Sequence, residues 1–143
     1  MKRIVILILA ICLTGCVGNE DFSKTCTNSM KTTHLEDNTS IYVVYNNDDK
    51  VKEATVTKSY KAIDKDGEDI IKDIKSSIEE YNYKYGDSGI KFYLSKDSND
   101  EYEIKYYLPV PSLDDEILAD FKLKKNSAKL FRSLKKENME CGG

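Results

Sequence analysis

Apolar and polar positions alternate with a period of two in the second half of the chain. Ile90, Phe92 and Leu94 interleave with Lys91, Tyr93 and Ser95, and Tyr102, Ile104, Tyr106 and Leu108 interleave with Glu103, Lys105 and Tyr107. Such spacing sends successive side chains to opposite faces of a strand. The intervening Lys96-Asp97-Ser98-Asn99-Asp100 is turn chemistry, so the stretch predicts a hairpin with one core face. A first hairpin precedes it, from the β-branched and aromatic runs Ile41-Tyr42-Val43-Val44-Tyr45 and Val51 to Tyr60, joined by Asn46-Asn47-Asp48-Asp49-Lys50. Thr25 to Asn28 is expected to form a short opening strand. Ser29 to Ser40 is polar, shows no clear period and holds the only histidine, His34.

Between the hairpins the period changes. Ile70, Ile71, Ile74, Ile78, Tyr81 and Tyr85 make an apolar stripe at helical spacing, with Lys72, Asp73, Lys75, Glu79 and Glu80 elsewhere, and Gly86 marks its end. Asp64-Lys65-Asp66-Gly67 leads into this helix. After Pro109 and Pro111, Ser112-Leu113-Asp114-Asp115 resembles a cap for a short helix carrying Leu113, Ile117, Leu118 and Phe121. A last helix starts near Ser127 with Leu130, Phe131 and Leu134. The expected class is α+β: an antiparallel sheet of about five strands, two hairpins plus the short N-terminal strand, with the long helix and two short C-terminal helices on one face.

The N-terminus is a different kind of segment. Lys2 and Arg3 precede an unbroken apolar run, Ile4 to Leu13, which is about half of the roughly 20 residues needed to cross a bilayer. The run ends in Leu13-Thr14-Gly15-Cys16, the pattern of a bacterial lipoprotein signal. Residues 1–15 are therefore expected to be cleaved, and Cys16 to carry diacylglycerol, whose two chains suffice for stable anchoring. Residues 16–24 are expected to be the lipidated cysteine and a short polar tether, and 25–143 a single domain. Fully extended, the eight residues from Val17 to Lys24 would span roughly 26 to 29 Å, which keeps the domain close to the membrane.

Composition narrows the partners. The chain has 25 Asp and Glu against 22 Lys and Arg, and loses two of the latter with the signal, so its net charge argues against nucleic acid and against a polybasic grip on anionic lipid. Cys12 leaves with the signal and Cys16 is acylated, so Cys26 and Cys141 are the remaining thiols. An even pair in an exported domain points to a disulfide, with two free thiols or half of a metal site as the alternatives.

The lipobox, a thiol in Lys24-Thr25-Cys26-Thr27, two hairpins around one long amphipathic helix, and a C-terminal helix running to Met139-Glu140-Cys141 together resemble the small bacterial lipoproteins related to YehR. The resemblance covers most of the mature chain in layout. It implies a compact α+β lipoprotein fold and carries no catalytic residues with it.

Motifs of chemistry are sparse. Asp64 to Asp69 is the most calcium-like segment, yet setting Gly67 at the glycine of a calcium loop puts Ala62 at the first ligand position and Asp73 where a bidentate Glu belongs. Acids there also suit a helix N-terminus. His34 reads as a solvated loop residue, with no nucleophile or phosphate-loop motif to accompany it. No cofactor or metal is expected. Alternation turns Lys91, Tyr93, Lys105 and Tyr107 onto the open side of the sheet, a possible contact surface, although tyrosine also suits strands for packing reasons alone. The sequence thus suggests a monomeric, membrane-anchored lipoprotein facing outside the cytoplasm, a non-catalytic binding or structural module at the cell envelope, with no particular protein or envelope-polymer partner indicated. The alternative is a hydrolase using unrecognised acids, which a deep pocket of converging polar groups would favour over shallow grooves.

Overall fold

The computed structural model describes residues 20–142, so the expected signal peptide, Cys16 with its expected lipid and residues 17–19 of the expected tether lie outside the described residues, whereas 21–24 of that tether are already strand. The elements are β1 (Asp21–Lys31), β2 (Leu35–Asn46), β3 (Val51–Ala62), α1 (Lys65–Lys84), β4 (Lys91–Asp97), β5 (Glu101–Leu108), a 3-10 turn (Val110–Ser112), α2 (Asp115–Asp120), α3 (Ser127–Lys136) and β6 (Glu140–Gly142). The strands form one sheet in the order β4-β5-β3-β2-β1-β6, with every neighbouring pair antiparallel. The class is α+β as expected, with one strand more than the sequence suggested, because Glu140–Gly142 pairs with Thr25–Thr27.

One face of the sheet is the core face. Cys26, Ile41, Val56, Tyr106 and Phe92 lie in register across it, and all of these but Phe92 are buried. α1 packs across β3 and β5 through Ile71, Ile78 and the following Tyr85, while Ile74 is partly buried. Leu130 and Leu134 of α3 are fully buried, and Phe131 sits against Tyr45 with ring centroids 5.3 Å apart. Each such aliphatic side chain contributes about 1.5–3 kcal/mol when wholly removed from water. The helix starts follow local chemistry: Asp64 accepts from Gly67 N, Asp114 from Ile117 N and Asn126 from Lys129 N. Asp114, rather than Ser112, is therefore the cap of α2, since Val110–Ser112 is already a 3-10 turn.

Three expectations change. β1 has 11 residues and not four, because its polar residues need no apolar period when only Cys26 is buried and the strand is paired along its whole length with β2. β2 begins at Leu35, inside the stretch without a clear period. There Asp37 and Thr39 occupy core-face positions but line a polar cleft. Finally, Phe92 and Leu94 point to the helix face, opposite Tyr106 and Ile104, yet remain 49% and 40% exposed. β4 is the sheet edge and α1 lies over β3 and β5, so the face is right and its cover is missing.

Candidate functional site

The face opposite the helices is built from the other half of each strand. Register sets Thr25, Tyr42, Thr55, Tyr107 and Lys91 in one row from β1 to β4, and Thr27, Ser40, Thr57, Lys105 and Tyr93 in the next. The expected quartet thus forms two directly opposed cross-strand pairs, Lys91 with Tyr107 and Tyr93 with Lys105. Tyr93 and Tyr107 are 59% and 47% exposed, and the sequence reading overlooked Tyr42, which is 42% exposed in the same row as Tyr107. Neighbouring strands lie about 4.8 Å apart, so Tyr42 and Tyr107, two strands apart, are separated by roughly 10 Å, with Tyr93 on the diagonal from Tyr107. A groove of about 350 Å³ runs beside Tyr107, bounded by Glu53, Thr55, Gly89, Lys91, Tyr107 and Pro109.

One charge on this face is held in place. Glu103 accepts from Ser59 Oγ at 2.6 Å and also from Ser95 Oγ, and these hydroxyls keep its carboxyl below the usual range. The face therefore combines rigid aromatics with many hydroxyls that can both donate and accept, a composition suited to contacting a polar partner.

The structure also gathers groups that the sequence left apart. His34 Nδ1 donates to Asp64 Oδ2 at 2.6 Å, and Asp66 Oδ2 is 3.9 Å from the same nitrogen. The local reason is a tight approach: Ile63 N donates to the His34 carbonyl, and Gly67 leaves room for that oxygen above the first turn of α1. The bond to Asp64 raises the His34 pKa and lowers that of Asp64. His34 is thus paired and not simply solvated, and the Asp64 to Asp69 stretch is the cap and first turn of a helix and not an open loop. The three side chains could each offer one ligand atom to a metal, within 4.8 Å of one another. Asp64 and Asp66 are exposed and His34 is half-buried, and Asp64 is already committed on both oxygens, to Gly67 and to His34.

On the helix side, Lys58, Asp37, Tyr60 and Asp120 meet above Ile41, Val56 and Phe121 in a cleft of about 200 Å³. Burial lowers the Lys58 pKa, raises that of Asp37 and pushes Tyr60 up to about 12. Asp120 is held ionised mainly by the Tyr85 hydroxyl, 2.7 Å away, and by Lys84. Both halves of the chain contribute, so spacing along the sequence could not have revealed it. Cys26 and Cys141 face each other across β1 and β6 with their sulfurs at bonding distance. No helix among the described residues is long and apolar enough to cross a membrane.

No protein-family model and no curated protein matches this chain. Solved structures do. The chain is similar to an NMR structure of a protein from Streptococcus pneumoniae TIGR4, at 12% identity over 87% of this chain and 86% of that one, with a TM-score of 0.53. It is also similar to the NMR structure of E. coli YehR, at 17% identity over 87% of this chain and 93% of that one, with a TM-score of 0.62. The fold is YehR-like. Identity this low carries the path of the backbone and not the roles of side chains. Within the YehR-like fold, the tyrosine and hydroxyl rows described above are read from this chain's own residues.

Proposed function

We propose that this protein is a lipid-anchored extracytoplasmic module that binds a protein or polymer of the cell envelope on the open face of its sheet. The observation that carries the binding role is the uncovered pair of rows containing Tyr42, Tyr93 and Tyr107 among Ser, Thr and Lys side chains. Tyrosine supplies large contact area with few rotatable bonds, and the flanking hydroxyls adapt to either donors or acceptors. The grooves of about 590 and 350 Å³ open onto the surface and do not enclose a cavity, the form that suits a binding module better than a hydrolase. Support for the anchor comes from Leu13-Thr14-Gly15-Cys16 after a short apolar run, and support for export from a cysteine pair suited to an oxidising compartment.

Two variants test the two parts of this reading. Cys16→Ala is expected to release the protein from the membrane fraction or to leave uncleaved precursor. Mature-sized Cys16→Ala protein that still sediments fully with membranes would refute the anchor. The double variant Tyr93→Ser with Tyr107→Ser is expected to keep its unfolding free energy in urea within about 0.5 kcal/mol of the parent, as surface changes do. It should also lose at least tenfold in pull-down of envelope components, since aromatic anchors commonly carry 2 kcal/mol or more. Unchanged capture by a folded double variant would exclude this face.

A further inference from the structure

Basic charge is concentrated in one part of this acidic chain. Phe121 to Lys136 contains seven Lys and Arg and no Asp or Glu, so all 25 acidic residues lie outside it. Some of that charge has a local use. Lys122 pairs with Glu137 at 2.6 Å, and Lys135 and Lys136 sit in the last turn of α3, where cations complement the helix dipole. Lys124, Lys125 and Lys129 have no such partner: each is exposed and, among the described residues, none is in an ion pair, unlike the paired Lys31, Lys52, Lys75 and Lys84. They line the groove between α2 and α3, whose volume is about 590 Å³.

The position of these lysines is set by backbone bonds. Val51 N donates to Lys125 O at 2.9 Å, Ser127 N to Asp49 O at 2.9 Å, and Lys50 bridges to Asn126. This ties the α2–α3 loop to the β2–β3 turn. The same end of the sheet holds the start of β1, where Asp21 lies opposite Asn46 and pairs with Lys52 at 2.8 Å. The lysine groove and the point where the chain enters the domain are therefore only a few strand spacings apart, about 4.8 Å each. Cys16 precedes Asp21 by five residues, which can span at most about 18 Å.

We propose that Lys124, Lys125 and Lys129 seat the domain on anionic lipid headgroups, with the α2–α3 loop toward the bilayer. The inference rests on Cys16 being the anchor, which holds this end within reach of the surface. The net charge of the chain speaks against such a grip only as an average, because Phe121 to Lys136 holds no acid; among the acids near it are Asp115 and Glu137 in the groove, the latter paired with Lys122, and Asp48 and Asp49 in the β2–β3 turn. Each lysine near an anionic surface improves partitioning by roughly fivefold. The effect fades beyond a screening length of about 8 Å at physiological salt, so closeness is essential.

The test uses the full-length protein purified in detergent and reconstituted into phosphatidylcholine vesicles with or without phosphatidylglycerol. Flotation measures attachment, and amine acylation read by mass spectrometry measures lysine exposure. The expected result is flotation with both vesicle types. Labelling of Lys124, Lys125 and Lys129 should be several-fold slower on the phosphatidylglycerol vesicles, unchanged at Lys72 on α1, and equal on both at high salt. In the variant Lys124→Gln, Lys125→Gln, Lys129→Gln, hydrogen exchange of the 46–50 turn should no longer differ between the vesicles. Flotation with both types and equal labelling would overturn the proposal and leave the anchor standing. Flotation only with phosphatidylglycerol vesicles would remove the anchor, and with it the seat as proposed. No flotation with either would end both. Protection of these lysines in native envelopes but on neither vesicle would assign the surface to a protein partner and overturn the lipid reading.

Discussion

A methyl group at Gly67 would lie 2.1 Å from the His34 carbonyl oxygen and 3.1 Å from Ala62. Elsewhere in a helix, Gly→Ala gains up to about 1 kcal/mol. Here the contact is with backbone on the neighbouring turn, which cannot swing away, so Gly67→Ala is expected to cost on the order of 2 kcal/mol net, read as a lower urea midpoint. The carbonyl is there because His34 is drawn to Asp64, and that pair gives a second prediction. The folded-state pKa of His34 is raised above 6.5, so its stabilisation is fully present below that pH and is lost as pH rises through the folded value. Asp64 is lowered below 3.8, so its share is present above that pH and is lost as pH falls through its folded value. The pair should stabilise most between about pH 4 and 6.5, with melting temperature falling from pH 6 to 8. Asp64→Asn, which keeps a capping oxygen, should flatten that fall, and an identical slope in the variant would dissociate the slope from this pair. The helix start at Asp64 was legible because a cap acts within three residues. Its partner His34, thirty residues away, was not.

Elements whose own pattern reached the core were legible. The stripe on α1 and the alternation on β5 could be read directly, since Ile71, Ile78, Ile104 and Leu108 recur at the period of the element that buries them. The edges were harder. β1 offers one buried residue and β6 has only three positions, so neither carries a period to detect. β6 meets β1 at the disulfide-capable pair Cys26 and Cys141, 115 positions apart in the sequence. Cys141→Ser is expected to lower stability by about 3–5 kcal/mol in non-reducing denaturation. It should also speed hydrogen exchange at Thr25 and Thr27, which pair with Gly142 and Glu140. A reductant should move the parent in the same direction, and a variant with the parental midpoint would show that the pair adds nothing. At the other edge, β4 is exposed along its whole length and is guarded by Lys91 and Lys96, the kind of charge that discourages strand addition.

At the scale of the whole molecule, the sequence alone determined the local periods, the turns, the helix starts, the α+β class and the set of residues that alternate away from the core. Each depends on residues within a few positions of one another, so the information is written side by side in the chain. Tertiary structure decided which strands adjoin, and with that everything made from distant parts: Tyr42 in line with Tyr107, Asp37 and Lys58 beside Asp120, and the α2–α3 loop beside the β2–β3 turn. It also decided that α1 covers β3 and β5 and leaves β4 bare, although the pattern on β4 matches that on β5. The physical reason is that alternation states which side of a strand is apolar, whereas burial depends on another element being there to cover it, and that partner lies elsewhere in the chain.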